Sequence, residues 1–384
     1  MRDASNQSSM RDSISIVQTR TWQLSASDVP FLLDCGRSLS SVTVAYETYG
    51  ELNPAGDNAI VICHALTGNA HAAGLSSRDP KSAGWWDSMI GPGMAFDTRE
   101  YYVVCSNILG SCYGTTGPAS VNPETGSSYA MTFPQMTVRD MVRLQHALAN
   151  HLGIKQVRAV IGGSLGGMQV LEWALMYPEM VRSIIPIGTA ARHSPWCIGL
   201  NELAREAITN DPDWRGGDYY GLGQPERGLS LARQVAMMSY RSDVSFLSRF
   251  GRDRKRPVGE SPEERFDFTN LFQVESYLHY QGMKLVRRFD ANSYLYISRS
   301  MDLHDVAFGR GAMPDVLSSI RTPALCVGIS SDVLYPVHEQ LELAHGLGSA
   351  TYAEIDSPHG HDAFLIEVDQ LTQMVKGFMK QHGL

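Results

Sequence analysis

No stretch of the 384-residue chain approaches the roughly 18 uncharged apolar residues that a membrane-spanning helix needs. The first twenty residues, MRDASNQSSMRDSISIVQTR, have no apolar core of the kind that directs secretion. Lys and Arg are outnumbered by Asp and Glu, giving a net charge of -8, and apart from GRDRKRPVG the basic residues are scattered. An extended basic face for nucleic acid is therefore excluded. The six cysteines (Cys35, Cys63, Cys105, Cys112, Cys197 and Cys326) form no CxxC pair and no zinc-ligand spacing. Several lie in apolar runs such as AIVICH and YYVVCSN, so they are expected to be reduced core residues. No internal repeat or low-complexity segment is present. These absences leave a cytoplasmic globular protein without metal, nucleic acid or membrane as the expectation, with residues 1–20 as a flexible tail.

What is present is a core-forming composition, 43% hydrophobic, arranged as alternating strands and helices. SVTVAYETYG alternates like a half-exposed strand. NAIVICHAL and YYVVCSNILG are continuous apolar runs suited to strands buried on both faces. TVRDMVRLQHALANHLG places Val138, Met141, Val142, Leu148 and Leu152 on one helical face, with Thr137 and Asp140 spaced as a capping box and Gly153 as a stop. KQVRAVIGG reads as a strand and SLGGMQVLEWALMYP as a helix closed by Pro178. VRSIIPIGT, PALCVGISSD and ATYAEIDS are further strands. This alternation predicts an α/β fold with a mostly parallel sheet flanked by helices. Residues 21–190 and 320–384 form that core, and the mostly helical 191–319 is an insertion over the strand ends, a lid.

The residues that carry chemistry begin at Gly162-Gly163-Ser164-Leu165-Gly166, which matches G-x-S-x-G between an apolar strand and a helix. A serine on such a turn sits at a helix N-terminus, where backbone N–H groups favour developing negative charge. Its hydroxyl needs a base and an orienting carboxylate to become a nucleophile. In this architecture they follow in the order Ser, Asp or Glu, His. Asp332 lies just past the strand ALCVGIS, and SPHGHDAFL offers His359 and His361. An oxyanion hole needs two donors: the backbone N–H of Leu165, next after the serine, and one from an earlier strand-to-loop junction. CHALTG supplies Leu66 there, which on its own is also an ordinary junction. Together these predict an α/β-hydrolase fold and acyl-enzyme chemistry. Fold alone leaves esterase, thioesterase and transferase open.

The runs HALTGNAHAAG, GWWDSMIGPGMAFDT, SNILGSCYGTTGPASVNPETG, FPQMTVRDMV, GGSLGGMQVLEWA, VESYLHYQG, RFDANSYLYI and GHDAFLIE closely resemble the homoserine O-acetyltransferase family, in the family's order and from about residue 40 onward. The resemblance implies transfer of an acetyl group from acetyl-CoA, a substrate rather than a resident cofactor, to the side-chain hydroxyl of L-homoserine for methionine biosynthesis. It selects Ser164, Asp332 and His361 over His359. It also implies that Arg233 binds the homoserine carboxylate and Asp362 its amine; read alone, the first is a surface arginine and the second a helix cap. It suggests a homodimer. Homoserine O-succinyltransferases, serine O-acyltransferases and deacetylcephalosporin acetyltransferase share the fold and triad, so donor and acceptor stay open here.

Overall fold

The computed structural model describes residues 16–25, 29–256, 259 and 261–384. Ten strands run in chain order as β1 (Arg20–Gln23), β2 (Phe31–Leu32), β3 (Ser38–Leu39), β4 (Thr43–Tyr49), β5 (Ala59–Cys63), β6 (Tyr102–Ser106), β7 (Val157–Gly163), β8 (Ile184–Ile187), β9 (Ala324–Ile329) and β10 (Ala350–Ile355). Eight make one sheet in the order β1-β4-β6-β5-β7-β8-β9-β10, and β2 with β3 forms a small separate pair. From β6 to β10 every neighbour is parallel, while β4 is antiparallel to both β1 and β6. The predicted sheet is present.

The central strands are runs of Val, Ile and Ala with every residue of β5, β8 and β9 buried, as expected where helices cover both faces. Two apolar clusters fill those faces. One gathers Val61, Val104 and Val160 with Leu165, Met168 and Trp173; the other gathers Ile60, Ile62 and Ile161 with Trp86, Phe96, Val375 and Phe378.

β4 departs from the half-exposed strand predicted for it. Val44, Ala45, Tyr46, Glu47 and Tyr49 are all buried, because β4 lies between β1 and β6 and Glu47 has hydrogen-bonding partners inside the protein. The expected tail also ends earlier than residue 20. Val17 N–H donates to Leu75 O at 2.8 Å and the Thr19 hydroxyl to Glu47 at 2.7 Å; residues 1–15 lie outside the described residues. All six cysteines are free, and Cys35 is exposed rather than in the core.

Twelve helices follow among the described residues. α1 (Val138–His151) begins with the predicted capping box, Thr137 and Asp140 bonding reciprocally. α2 (Leu165–Met176) is buried almost all round, as a helix without a polar face must be; its Glu172 is paired by Arg310 at 2.6 Å and Arg139 at 3.3 Å. Between β8 and β9 lie α3 (Pro195–Thr209), α4 (Glu226–Tyr240), α5 (Asp243–Phe250), α6 (Pro262–Arg265), α7 (Gln273–Val286), α8 (Ala291–Asp302) and α9 (Met313–Ser319). The chain ends with α10 (Val337–Gly346), α11 (Ala363–Ile366) and α12 (Val368–Gln381). In the insertion α4 packs against α3 and α7, and α3 against α8, while α4 also meets the turn Gly360–Asp362. That contact brings the insertion to the ends of the parallel strands.

Candidate active site

Ser164 stands between β7 and α2 with φ 59 and ψ -126, a backbone region that costs a non-glycine residue energy and persists only where its surroundings enforce it. Here they do. Ser164 N–H donates to Ile187 O at 2.9 Å, and its carbonyl accepts the Thr189 hydroxyl at 2.9 Å. The flanking glycines are a matter of space. A β-carbon on Gly163 would lie 2.7 Å from the Phe364 ring, and one on Gly166 would run into the carbonyl of Cys63. Among the described residues, neither the Leu66 nor the Leu165 backbone N–H meets an acceptor, leaving two donors beside the serine.

Asp332 follows β9 and is buried. Its Oδ1 accepts the backbone N–H groups of Leu334 at 2.8 Å and Tyr335 at 2.9 Å, and its Oδ2 meets His361 Nδ1 at 2.7 Å. Both oxygens are therefore committed, and the imidazole is held with Nδ1 toward the carboxylate. Burial pushes the His361 pKa down, but the charge of Asp332 and its hydrogen bond, helped by Asp362, outweigh this, and the net direction is up. Rings of Tyr335, Phe364 and Tyr240 surround His361 at 5.3, 5.7 and 5.8 Å. Gly188, just after β8 with φ 47, lies beneath the pair, an ideal β-carbon there being 3.4 Å from Asp332 Oδ2.

His361 Nε2 is buried without a hydrogen-bond partner, and no Ser164–His361 hydrogen bond is formed; such bonds often tighten only when substrate is bound. Both residues nonetheless open into one cavity of about 520 Å³. His359 is not in its wall.

That cavity also holds Leu66, Arg233 and Asp362; Leu165 and Asp332 lie behind its wall, Asp332 reaching it through His361. Arg233, on α4, lies over the Tyr240 ring at 5.2 Å and has no carboxylate partner among the described residues. Asp362 is paired with Arg241 at 3.2 Å. Sequence reading missed Arg241 and Tyr240, and also Lys81, Lys284 and Arg288, which line the same cavity. It missed Gln169 too, although a glutamine inside the apolar run GGMQVLEWA is itself a signal. Among the described residues no group of three or more His, Cys, Asp and Glu side chains is placed to hold a metal, and no helix is long and apolar enough to cross a membrane.

A strained serine on a strand-to-helix turn, a buried Asp–His pair and two free backbone donors define the α/β-hydrolase class, and residues 58–368 match the model of the alpha/beta hydrolase fold. Within it, the chain is 52% identical to the homoserine O-acetyltransferase of Carboxydothermus hydrogenoformans, over 97% of each chain. It is 53% identical to that of Moorella thermoacetica, over 96% of this chain and 98% of the other. The chain belongs to the homoserine O-acetyltransferase family. Among known structures, the homoserine O-acetyltransferase from Bacillus anthracis superposes with a TM-score of 0.87 at 32% identity, covering 95% of this chain and 98% of the other. Esterase E22 superposes with a TM-score of 0.85 at 30% identity, over 94% of this chain and all of the other.

Proposed function

We propose that the protein transfers an acetyl group from acetyl-CoA to the side-chain hydroxyl of L-homoserine, giving O-acetyl-L-homoserine for methionine biosynthesis. The observation that carries this reading is the convergence of Ser164, His361, Arg233 and Asp362 on one cavity. His361 Nε2 takes the Ser164 proton as Oγ attacks the thioester carbonyl, and Asp332 stabilises the imidazolium so formed. The oxyanion is received by the N–H groups of Leu66 and Leu165. Collapse expels CoA as its thiol, protonated by His361, and leaves acetyl-Ser164. Homoserine then enters by the same cavity, its carboxylate meeting the fork of Arg233 and its amine Asp362. His361 deprotonates its hydroxyl, which attacks the acetyl carbon and releases Ser164. A shared entrance supports a ping-pong order, and the helical insertion over it supports exclusion of water.

The test is release of free thiol from acetyl-CoA on addition of homoserine, with O-acetylhomoserine as product. Ser164→Ala should abolish release while the protein stays folded. Substituting succinyl-CoA for acetyl-CoA, and serine for homoserine, distinguishes the related transferases. Hydrolysis is the second reading, favoured by the likeness to esterase E22; acyl release at a rate indifferent to homoserine would establish it instead. With these substrates the enzyme works in the cytoplasm. The exposed Leu231 and Met238 on α4, Leu247 on α5 and Tyr280 on α7 support a homodimer joined through the lid, which light scattering tests.

A further inference from the structure

Ser164 borders a second space. It is a small chamber walled by Leu66, Leu200, Ala204, Ala236, Met301 and Leu334, with room of only about 20 Å³. Tyr240 lines both this chamber and the large cavity. Most of the wall comes from α3, α4 and α8 of the insertion. An apolar cavity of about 150 Å³ holds benzene, on the order of 25 Å³ per carbon. By that measure the chamber accepts one methyl-sized group.

Three polar side chains of the wall are engaged by acceptors of the protein itself. Cys197 donates to Leu334 O at 3.1 Å, Ser239 to Ala236 O at 2.9 Å, and Asn201 to Asp302 at 2.8 Å. No Lys or Arg is present. The one imidazole, His193, is driven down to about pKa 3, first by burial and then by His304 and Arg205, so it carries no charge at neutral pH.

Stereochemistry leaves this space to the acyl tail. With the carbonyl oxygen held between the N–H groups of Leu66 and Leu165, the thiol must leave, and the hydroxyl arrive, through the large cavity. The remaining substituent on the acyl carbon needs a third direction. We propose that the chamber takes the methyl of acetyl-Ser164 and fixes acyl length, excluding succinyl by volume and by offering its carboxylate no cation. This rests on the reading that Ser164 carries the acyl group.

The experiment measures acylation of the full-length enzyme with acetyl-, propionyl- and succinyl-CoA plus homoserine. In parallel, single-turnover acylation by p-nitrophenyl acetate, propionate and butyrate needs neither CoA nor homoserine. Wild type should prefer acetyl over propionyl by about 10-fold or more in both series, one methylene being worth that in an apolar pocket. Succinyl-CoA should give no measurable transfer. Leu200→Ala should bring the acetyl-to-propionyl ratio close to one, and Ala236→Val should slow even acetyl, with melting curves showing both variants folded. An acetyl-to-propionyl ratio unchanged in folded Leu200→Ala, or rapid succinyl transfer by wild type, overturns the chamber's role. If the ester series shows the length preference while homoserine elicits no thiol release, the chamber stands and the transferase reading falls.

Discussion

Gln145 donates its side-chain amide to Oε1 of Gln169 at 2.6 Å, deep in the core. The orientation is forced: the Trp173 indole N–H, which can only donate, meets Gln145 Oε1 at 2.8 Å. Gln169 must therefore turn its own amide outward, where it donates to His64 O at 3.2 Å and Leu165 O at 3.1 Å. Those carbonyls belong to the two segments that carry the Leu66 and Leu165 donors. One buried glutamine thus couples the two segments that carry the proposed oxyanion donors. Gln169→Leu should lower kcat about 10- to 100-fold with KM little changed, since a hole whose donors shift loses part of what removal of one donor costs. The Gln145 amide left without an acceptor should lower stability by about 1–3 kcal/mol. Steady-state kinetics beside a melting curve checks this; unchanged kcat in the folded variant would break the link.

The pH profile follows from the Asp332–His361 pair. His361 acts as base only when neutral, and its pKa is raised above 6.5. Activity should rise with pH, with the acid limb of kcat/KM centred above 6.5. Asp332→Asn removes the charge that raises the pKa and leaves the ring without its carboxylate. The limb should move down in pH, and kcat should fall by roughly 10⁴-fold, as loss of a triad carboxylate does.

The elbow, the sheet and the helical insertion were legible because each is written locally: a β-branched run, a cluster of small residues, a capping box, a terminal glycine. Ser164 and Asp332 lay on predictable strand ends, whereas the choice of His361 over His359 rests on the family resemblance and not on local pattern. The partners that tune them were not legible, because they come from distant parts of the chain. Arg241 meets Asp362 across more than a hundred residues, and the Gln145–Gln169 pair joins two helices whose packing no periodicity specifies. β4 misled for the same reason: Glu47 gives the pattern its exposed look, while its partners, Thr19 and His71, are remote.

Arg233 has a clear signature. It stacks on Tyr240 and has no ion pair among the described residues, so Arg233→Ala should leave stability within about 1 kcal/mol of wild type. Its loss should raise the KM for homoserine by about 10- to 100-fold and leave the KM for acetyl-CoA unchanged, a charge-assisted pair contributing on that scale. Arg233→Lys should recover only part of the affinity, because a point charge does not match the carboxylate fork. Equal effects on both substrates would place Arg233 in general cavity structure instead.

The wall of the cavity depends on charge as well. His71, which lines it, has Nδ1 2.9 Å from Glu47 Oε2 and Nε2 2.8 Å from Ser82 O. Two acceptors on two ring nitrogens require both to be protonated, so His71 is an imidazolium paired with the buried Glu47. The hydrogen bond to Glu47, against burial, raises the His71 pKa above 6.5. Burial raises that of Glu47, but hydrogen bonds from His71, Thr19 and Tyr49 together bring it below 4.5. The histidine's contribution is complete below pH 6.5 and lost as pH climbs through its raised value; the carboxylate's is complete above 4.5 and lost as pH falls through its lowered one. Together they stabilise most between about pH 4.5 and 6.5. Glu47→Gln should lower stability by on the order of 3 kcal/mol in that window, because it leaves the imidazolium with a neutral partner. The deficit should shrink as pH rises beyond the titration of His71. Denaturation midpoints of wild type and variant across pH measure it, and a difference independent of pH would show that His71 is neutral where it lines the cavity.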